Sequence, residues 1–204
     1  SFRIDYDQYD TDDFRATLEA VESHEGAASH FVKAGAYASA GGELGRLRGL
    51  DVGSHGYWHH TYRTRSENLR NIRHGIEVLR GGGLEPVGFV APHGCFHTEL
   101  ASAIEAAGVP YSSEFGLVYV ELPLFPLGTR TLQIPIHPVS LGSFLEAAGP
   151  EADAPALATT AERAAEYFDR VLRARYRSGE PALFYGHPTG RLGRFPHVLR
   201  DTLR

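Results

Sequence analysis

The sequence predicts an α/β protein with a mostly parallel sheet. Apolar strand-like segments alternate with amphipathic helical segments along the whole chain, the rhythm of βα units. An acid or an imidazole follows six of the predicted strands. At 204 residues the chain is long enough for one large domain, 1–204, and a barrel can use all of it.

The chain opens on a strand, Ser1 to Tyr6, where Phe2, Ile4 and Tyr6 alternate with Arg3, Asp5 and Asp7. Thr11 to Glu25 reads as a helix, with Thr11 as its cap, Asp12 and Asp13 in its first turn, and Phe14, Leu18 and Val21 as its apolar stripe. Ala28 to Ala34 is the second strand, Glu43 to Arg48 a short helix, and Leu50 to Ser54 the third strand. Thr64 to Arg80 is the clearest helix, with Leu69, Ile72, Ile76 and Leu79 at helical spacing and three glycines behind it. Pro86 to Ala91, Val109 to Ser113, Leu132 to Ile136 and Pro181 to Tyr185 complete the strands. Between them lie helices over Thr98 to Ala107 and Pro155 to Arg177, and another starts near Phe195. The Pro-rich stretch Leu117 to Thr131 gives no clear assignment.

Bulk chemistry excludes several classes. Hydrophobic residues are 42% and charged residues 22%, the composition of a soluble globular protein. The net charge of −5 offers no basic field for nucleic acid. Cys95 is the lone cysteine, so no intrachain disulfide framework exists. No apolar run approaches the ~20 residues of a membrane span, and no signal peptide is present. On that basis the cytoplasm is the expected compartment by a small margin. The chain lacks an initiator methionine, which fits a trimmed piece of a longer protein. Oligomeric state is not legible.

The stretch that organises these elements is Gly53-Ser54-His55-Gly56-Tyr57-Trp58-His59. Two histidines four apart share a face on a helical turn, and two imidazoles so placed take two vertices of one metal's coordination shell. The pair alone is weak, because 11 of the 204 residues are histidine. Its company is stronger. Asp5 and Asp7 end the first strand, two carboxylates on one side of what is expected to be a buried element, an arrangement explained by a cation, or by one carboxylate binding metal while the other holds a proton. Asp5 and Asp7, His55 and His59, His93, Glu114, His137 and His187 all fall just after predicted strands. In parallel α/β barrels that end of the strands carries the active site.

Asp-x-Asp in the first strand, Gly-Ser-His-x-x-x-His after the third, a Pro-His-Gly turn after the fourth, and an apolar strand ending at His187 together resemble the NodB-type polysaccharide deacetylases. These are the carbohydrate esterases with the NodB homology domain, and the chain looks like a divergent member. The likeness spans Asp5 to His187. It implies a distorted parallel (β/α) barrel of about seven strands. It also implies a divalent metal, zinc before cobalt or nickel, held by Asp7, His55 and His59. Asp5 would be the general base and His187 the general acid, with a metal-activated water attacking the acetyl carbonyl of an N-acetylated sugar. The backbone amide of His93 or Gly94 would hold the oxyanion.

Two departures bear on the substrate. The family's Arg-x-Pro-Tyr-Gly is Val90-Ala91-Pro92-His93-Gly94 here, so the arginine that braces the base is missing. Arg3, on the same strand face as Asp5, can take its place. For the acidic partner of the C-terminal histidine, Glu114 is the nearest candidate. Pro92, His93, Gly94 and His137 are assigned to lining or supporting the site, and His137 reads equally well as structural. Three functions follow. One is a metal-dependent deacetylase of an N-acetylated sugar. The second is a metal-dependent amidohydrolase acting on a non-sugar amide. The third is a non-catalytic barrel that keeps its metal site.

Overall fold

The computed structural model describes residues 1–22, 24, 28–115, 122–126 and 128–204. Its strands are β1 (Phe2–Tyr6), β2 (Ala28–Val32), β3 (Asp51–Ser54), β4 (Gly88–Phe89), β5 (Tyr111–Ser112), β6 (Leu132–Gln133) and β7 (Phe184–Gly186). They form one seven-stranded sheet in the order β6-β5-β4-β3-β2-β1-β7, and each neighbouring pair is parallel. Past the edge of β6, His137 N–H donates to Leu183 O at 2.7 Å, just ahead of β7. The two edges of the sheet are thus drawn together, and the sheet curls into the distorted seven-stranded parallel barrel that the sequence implies.

The helices are α1 (Thr11–Val21), α2 (Ala34–Tyr37), α3 (Gly41–Leu44), α4 (Arg65–Gly81), α5 (Thr98–Ala106), α6 (Leu141–Ala147), α7 (Ala154–Ser178) and α8 (Pro196–Leu203). The cap of α1 is Asp10, not Thr11: its Oδ1 accepts from Asp13 N at 2.9 Å. The helix ends at Val21, and positions 23 and 25 of the expected longer helix lie outside the described residues. The expected helix over Glu43 to Arg48 is instead α3 followed by a 3-10 turn, Gly45–Leu47. Expected strands shrink to two or three paired residues in β4 to β7. Parallel backbone bonds nevertheless continue past these short elements, from Val90 N to Ser54 O, Ser113 N to Phe89 O and Ile136 N to Glu114 O.

All five residues of β1 are buried. Phe2, Ile4 and Tyr6 enter the core between sheet and helices with Phe14, Leu18, Val32, Tyr37 and Phe168. A second cluster, with Ile72, Ile76, Phe89, Leu100 and Ile104, closes α4 and α5 over β4. Inside the barrel, Phe31 and Tyr111 meet edge-on with centroids 6.2 Å apart. Glycines make room for them. A Cβ on Gly53 would lie 2.2 Å from the Phe31 ring, and one on Gly88 would lie 2.4 Å from the Tyr111 ring. Among the described residues no helix is long and apolar enough to cross a membrane.

Candidate metal centre and catalytic cleft

β1 aims alternate residues into the barrel, so Arg3, Asp5 and Asp7 rise in a column toward the C-terminal ends of the strands. β3 brings His55 to the same level. His55 and His59 do not sit on a helical turn, which corrects the expectation drawn from their spacing. Gly56 is left-handed (φ 74) and the chain leaves β3 as a loop. That loop is shaped by Asn71 of α4, whose Oδ1 accepts from Tyr57 N and Trp58 N and whose Nδ2 donates to Trp58 O and His60 O. Asn68, one turn earlier, holds Tyr62 in the same way. The two imidazoles still converge, with Nε2 atoms 3.2 Å apart.

Asp7 completes the set. Its Oδ1 is 3.0 Å from His55 Nε2 and its Oδ2 3.4 Å from His59 Nε2, and the three donor atoms lie within 4.8 Å of one another. Ligands of a tetrahedral zinc ion stand about 3.3 Å apart, which matches these separations. His55 Nδ1 is 2.8 Å from Val90 O. A carbonyl only accepts, so Nδ1 carries the proton. In the neutral ring, Nε2 then presents a lone pair to Asp7 Oδ1, and Oδ1 has no hydrogen-bond donor. Lone pairs converging in this way need positive charge between them. Burial alone would push the Asp7 carboxyl up, but the His187, His55 and His59 rings, where their nitrogens donate to it, outweigh burial and hold it far below the carboxylate range. Protonated imidazoles supply that charge, or a divalent cation does. Two imidazoles and a carboxylate suit zinc and its neighbours.

A cleft of about 180 Å³ opens beside this set, lined by Asp5, Asp7, Gln8, His187, Pro188, Thr189 and Arg191. Asp5 is buried, with Oδ2 2.6 Å from Arg3 Nη2 and Oδ1 without a donor. Arg3 Nη1 donates to Ser113 O at 2.6 Å, and its guanidinium lies over the Tyr185 ring at 5.1 Å. His187 Nε2 is 3.3 Å from Asp7 Oδ2. Its Nδ1 faces Arg191 Nη1 at 2.9 Å, and Arg191 Nη2 donates to Glu146 at 2.7 Å. A guanidinium only donates, so His187 Nδ1 accepts and Nε2 carries the proton.

Not every predicted residue joins this group. Glu114 is not the partner of His187. It is fully buried and accepts from Ser112 Oγ at 3.0 Å; just past β5 it alternates with Ser113, whose carbonyl meets Arg3 inside the barrel. Burial pushes its carboxyl up to about 7, against hydrogen bonds that lower it. His137 packs on Phe184 and bonds Tyr167 Oη at 2.8 Å, turned toward α7. His93 stands with its ring 4.5 Å from that of His59. Gly94 N–H, one of the two expected oxyanion donors, is engaged with Ala91 O at 3.0 Å. Pro92 is buried, and its carbonyl accepts from Thr61 Oγ1 at 3.3 Å.

Sequence reasoning missed Asn68, Asn71 and Arg191. A signal for the asparagines existed: they occupy the buried stripe of α4 with Ile72, Ile76 and Leu79, where the period calls for apolar residues.

No protein-family model matches the sequence, and no curated protein matches it. Solved structures do. A Mycobacterium smegmatis protein assigned as a polysaccharide deacetylase superposes with TM-score 0.76 at 19% identity, over 95% of this chain and 70% of its own. An allantoinase superposes with TM-score 0.70 at 14% identity, over 100% of this chain and 82% of its own. The wild-type CE4 family pseudoenzyme from Bacillus anthracis gives TM-score 0.60 at 12% identity, over 100% of this chain and 59% of its own. At such identities the likeness establishes architecture, and by it this chain has the fold of the NodB-type polysaccharide deacetylases.

Proposed function

We propose that the protein is a metal-dependent hydrolase that removes the acetyl group from an N-acetylated sugar. The observation that carries this reading is the convergence of Asp7, His55 and His59 donor atoms at the spacing of zinc ligands, beside a cleft that also holds Asp5 and His187. Bound there, a divalent cation supplies a water of lowered pKa and polarises the acyl carbonyl. Asp7, His55 and His59 hold it. Asp5 Oδ1, free of donors while Arg3 fixes Oδ2, takes the proton of the attacking water. The His93 amide would hold the developing oxyanion. His187 presents its Nε2 proton to the departing nitrogen, its ring oriented by Arg191. The products are acetate and a free amine.

The allantoinase likeness favours a second reading, in which the same residues hydrolyse a non-sugar amide. Elemental analysis of the wild type and of His55→Ala, paired with acetate release from N-acetylglucosamine oligomers, tests both. About one metal per chain, lost in the variant, together with acetate release, supports the first reading. Metal without acetate, with turnover of a ureide or formamide, supports the second. Metal with no turnover of any amide leaves a binding barrel. No metal in the wild type overturns the proposal.

A further inference from the structure

His55 and His59 are held in different ways. The His55 ring is fixed by the bond from Nδ1 to Val90 O, the outer-sphere contact that orients metal-binding imidazoles. The His59 ring packs instead against His93, edge to face, with centroids 4.5 Å apart and planes at 66°. Asn71 holds the backbone on either side of His59, at Tyr57, Trp58 and His60, which leaves the ring itself to its neighbours.

His93 is unusual in its own backbone. At φ 60 and ψ 14 it is left-handed, and it is the one non-glycine residue with positive φ among those described. Such a conformation costs an ordinary L-residue free energy and persists only where the surroundings impose it. Here they do. Gly94 N–H closes on Ala91 O, Cys95 N–H closes on Pro92 O, and Thr61 ties Pro92 O to the histidine loop. Gly94, itself left-handed, lies so close to Phe115 that a Cβ would meet the ring at 2.0 Å. A glycine at position 93 would adopt this turn without strain. The side chain there therefore has a use that outweighs its conformational cost.

We propose that His93 is a positioning residue for the metal ligand His59, acting through its ring and not through a nitrogen. The inference rests on the metal-site reading above. It is tested with the full chain as wild type, His93→Gly and His93→Phe. Each is measured for zinc affinity by chelator competition, for the visible spectrum of the cobalt form, and for the Tm of the metal-free protein. His93→Gly should bind zinc about 10-fold more weakly and show an altered cobalt spectrum. Its metal-free Tm should hold or rise by about 2 °C as the strain is relieved. His93→Phe, which restores a ring at the same place, should recover most of the affinity. Opposite movement of affinity and metal-free stability is the signature that a merely structural residue would not give. Wild-type affinity in His93→Gly would overturn the inference. So would a His93→Phe protein as weak as His93→Gly, because a nitrogen would then be the operative group. A wild type that binds no metal would remove the metal-site reading itself, and the inference with it.

Discussion

Arg3 Nη2 lies 2.6 Å from Asp5 Oδ2, with Arg3 5% and Asp5 2% exposed. Residues two apart on a strand share a face, so β1 by itself delivers this pair into the barrel. The guanidinium is further satisfied by Ser113 O and by the face of Tyr185.

Removing one partner of a buried pair leaves the other charge uncompensated, a loss of about 3–5 kcal/mol. Arg3→Ala is therefore expected to lower Tm and to cut kcat about 100-fold, with a smaller loss in Arg3→Lys. Full activity in Arg3→Ala would sink its role as the brace of Asp5.

Chelation and Asp7→Ala should act alike. Both remove what holds His55 Nε2, His59 Nε2 and the carboxylate together. Metal content is expected to fall to near zero in Asp7→Ala, and added zinc should restore activity to the chelated wild type but not to the variant.

Glu114 makes a pH prediction. Its folded-state pKa is about 7, raised by burial from 4.5. The folded protein thus keeps a proton that the unfolded chain gives up between those values, and this group's contribution to stability falls as pH rises through that window. The full span is about 3 kcal/mol. His30 runs the other way, because burial pushes its imidazole down to about 4, and it weakens the fold as pH falls. Comparison with Glu114→Gln isolates the first effect. Relative to wild type, the variant should gain Tm from pH 5 to pH 8, and an unchanged difference across that range would refute it.

Gly53→Ala should destabilise the fold by about 2 kcal/mol. Its Cβ would lie 2.2 Å from the Phe31 ring and 2.8 Å from Gly88 O, and neither a packed ring nor backbone can withdraw. Denaturant midpoints measure this directly.

Arg191→Gln tests the orientation of His187. The guanidinium that fixes Nδ1 is lost while Asp7 and Asp5 are untouched. The expected result is a fall in kcat of about 10-fold with KM little changed. A change confined to KM would assign Arg191 to substrate binding instead.

Much of this site is legible in the sequence. Asp5 and Asp7 announce themselves by alternation, and the His55–His59 spacing marks two of the proposed ligands even though they sit on a loop and not on a helical turn. The loop escaped notice because Asn71, some dozen residues downstream, dictates its path, and the hydrogen bonds of a side chain to distant backbone leave no local pattern. Glu114 and His137 were placed in the site because strand ends were assumed to face inward. Past β5 the alternation gives the inward position to Ser113, not Glu114, and past β6 His137 turns to Tyr167 of α7.

Alternation and helical periodicity are local properties, so the sequence by itself determined the parallel α/β order, the column Arg3-Asp5-Asp7, and the residues with the chemistry to hold a metal. The tertiary structure decided which of them meet. The strand order places β7 beside β1, which sets His187 at 3.3 Å from Asp7 and gives it Arg191, not Glu114, as its partner. The tertiary fold also sets His93 against His59. Such encounters join residues far apart in the chain, and no window of sequence contains both partners.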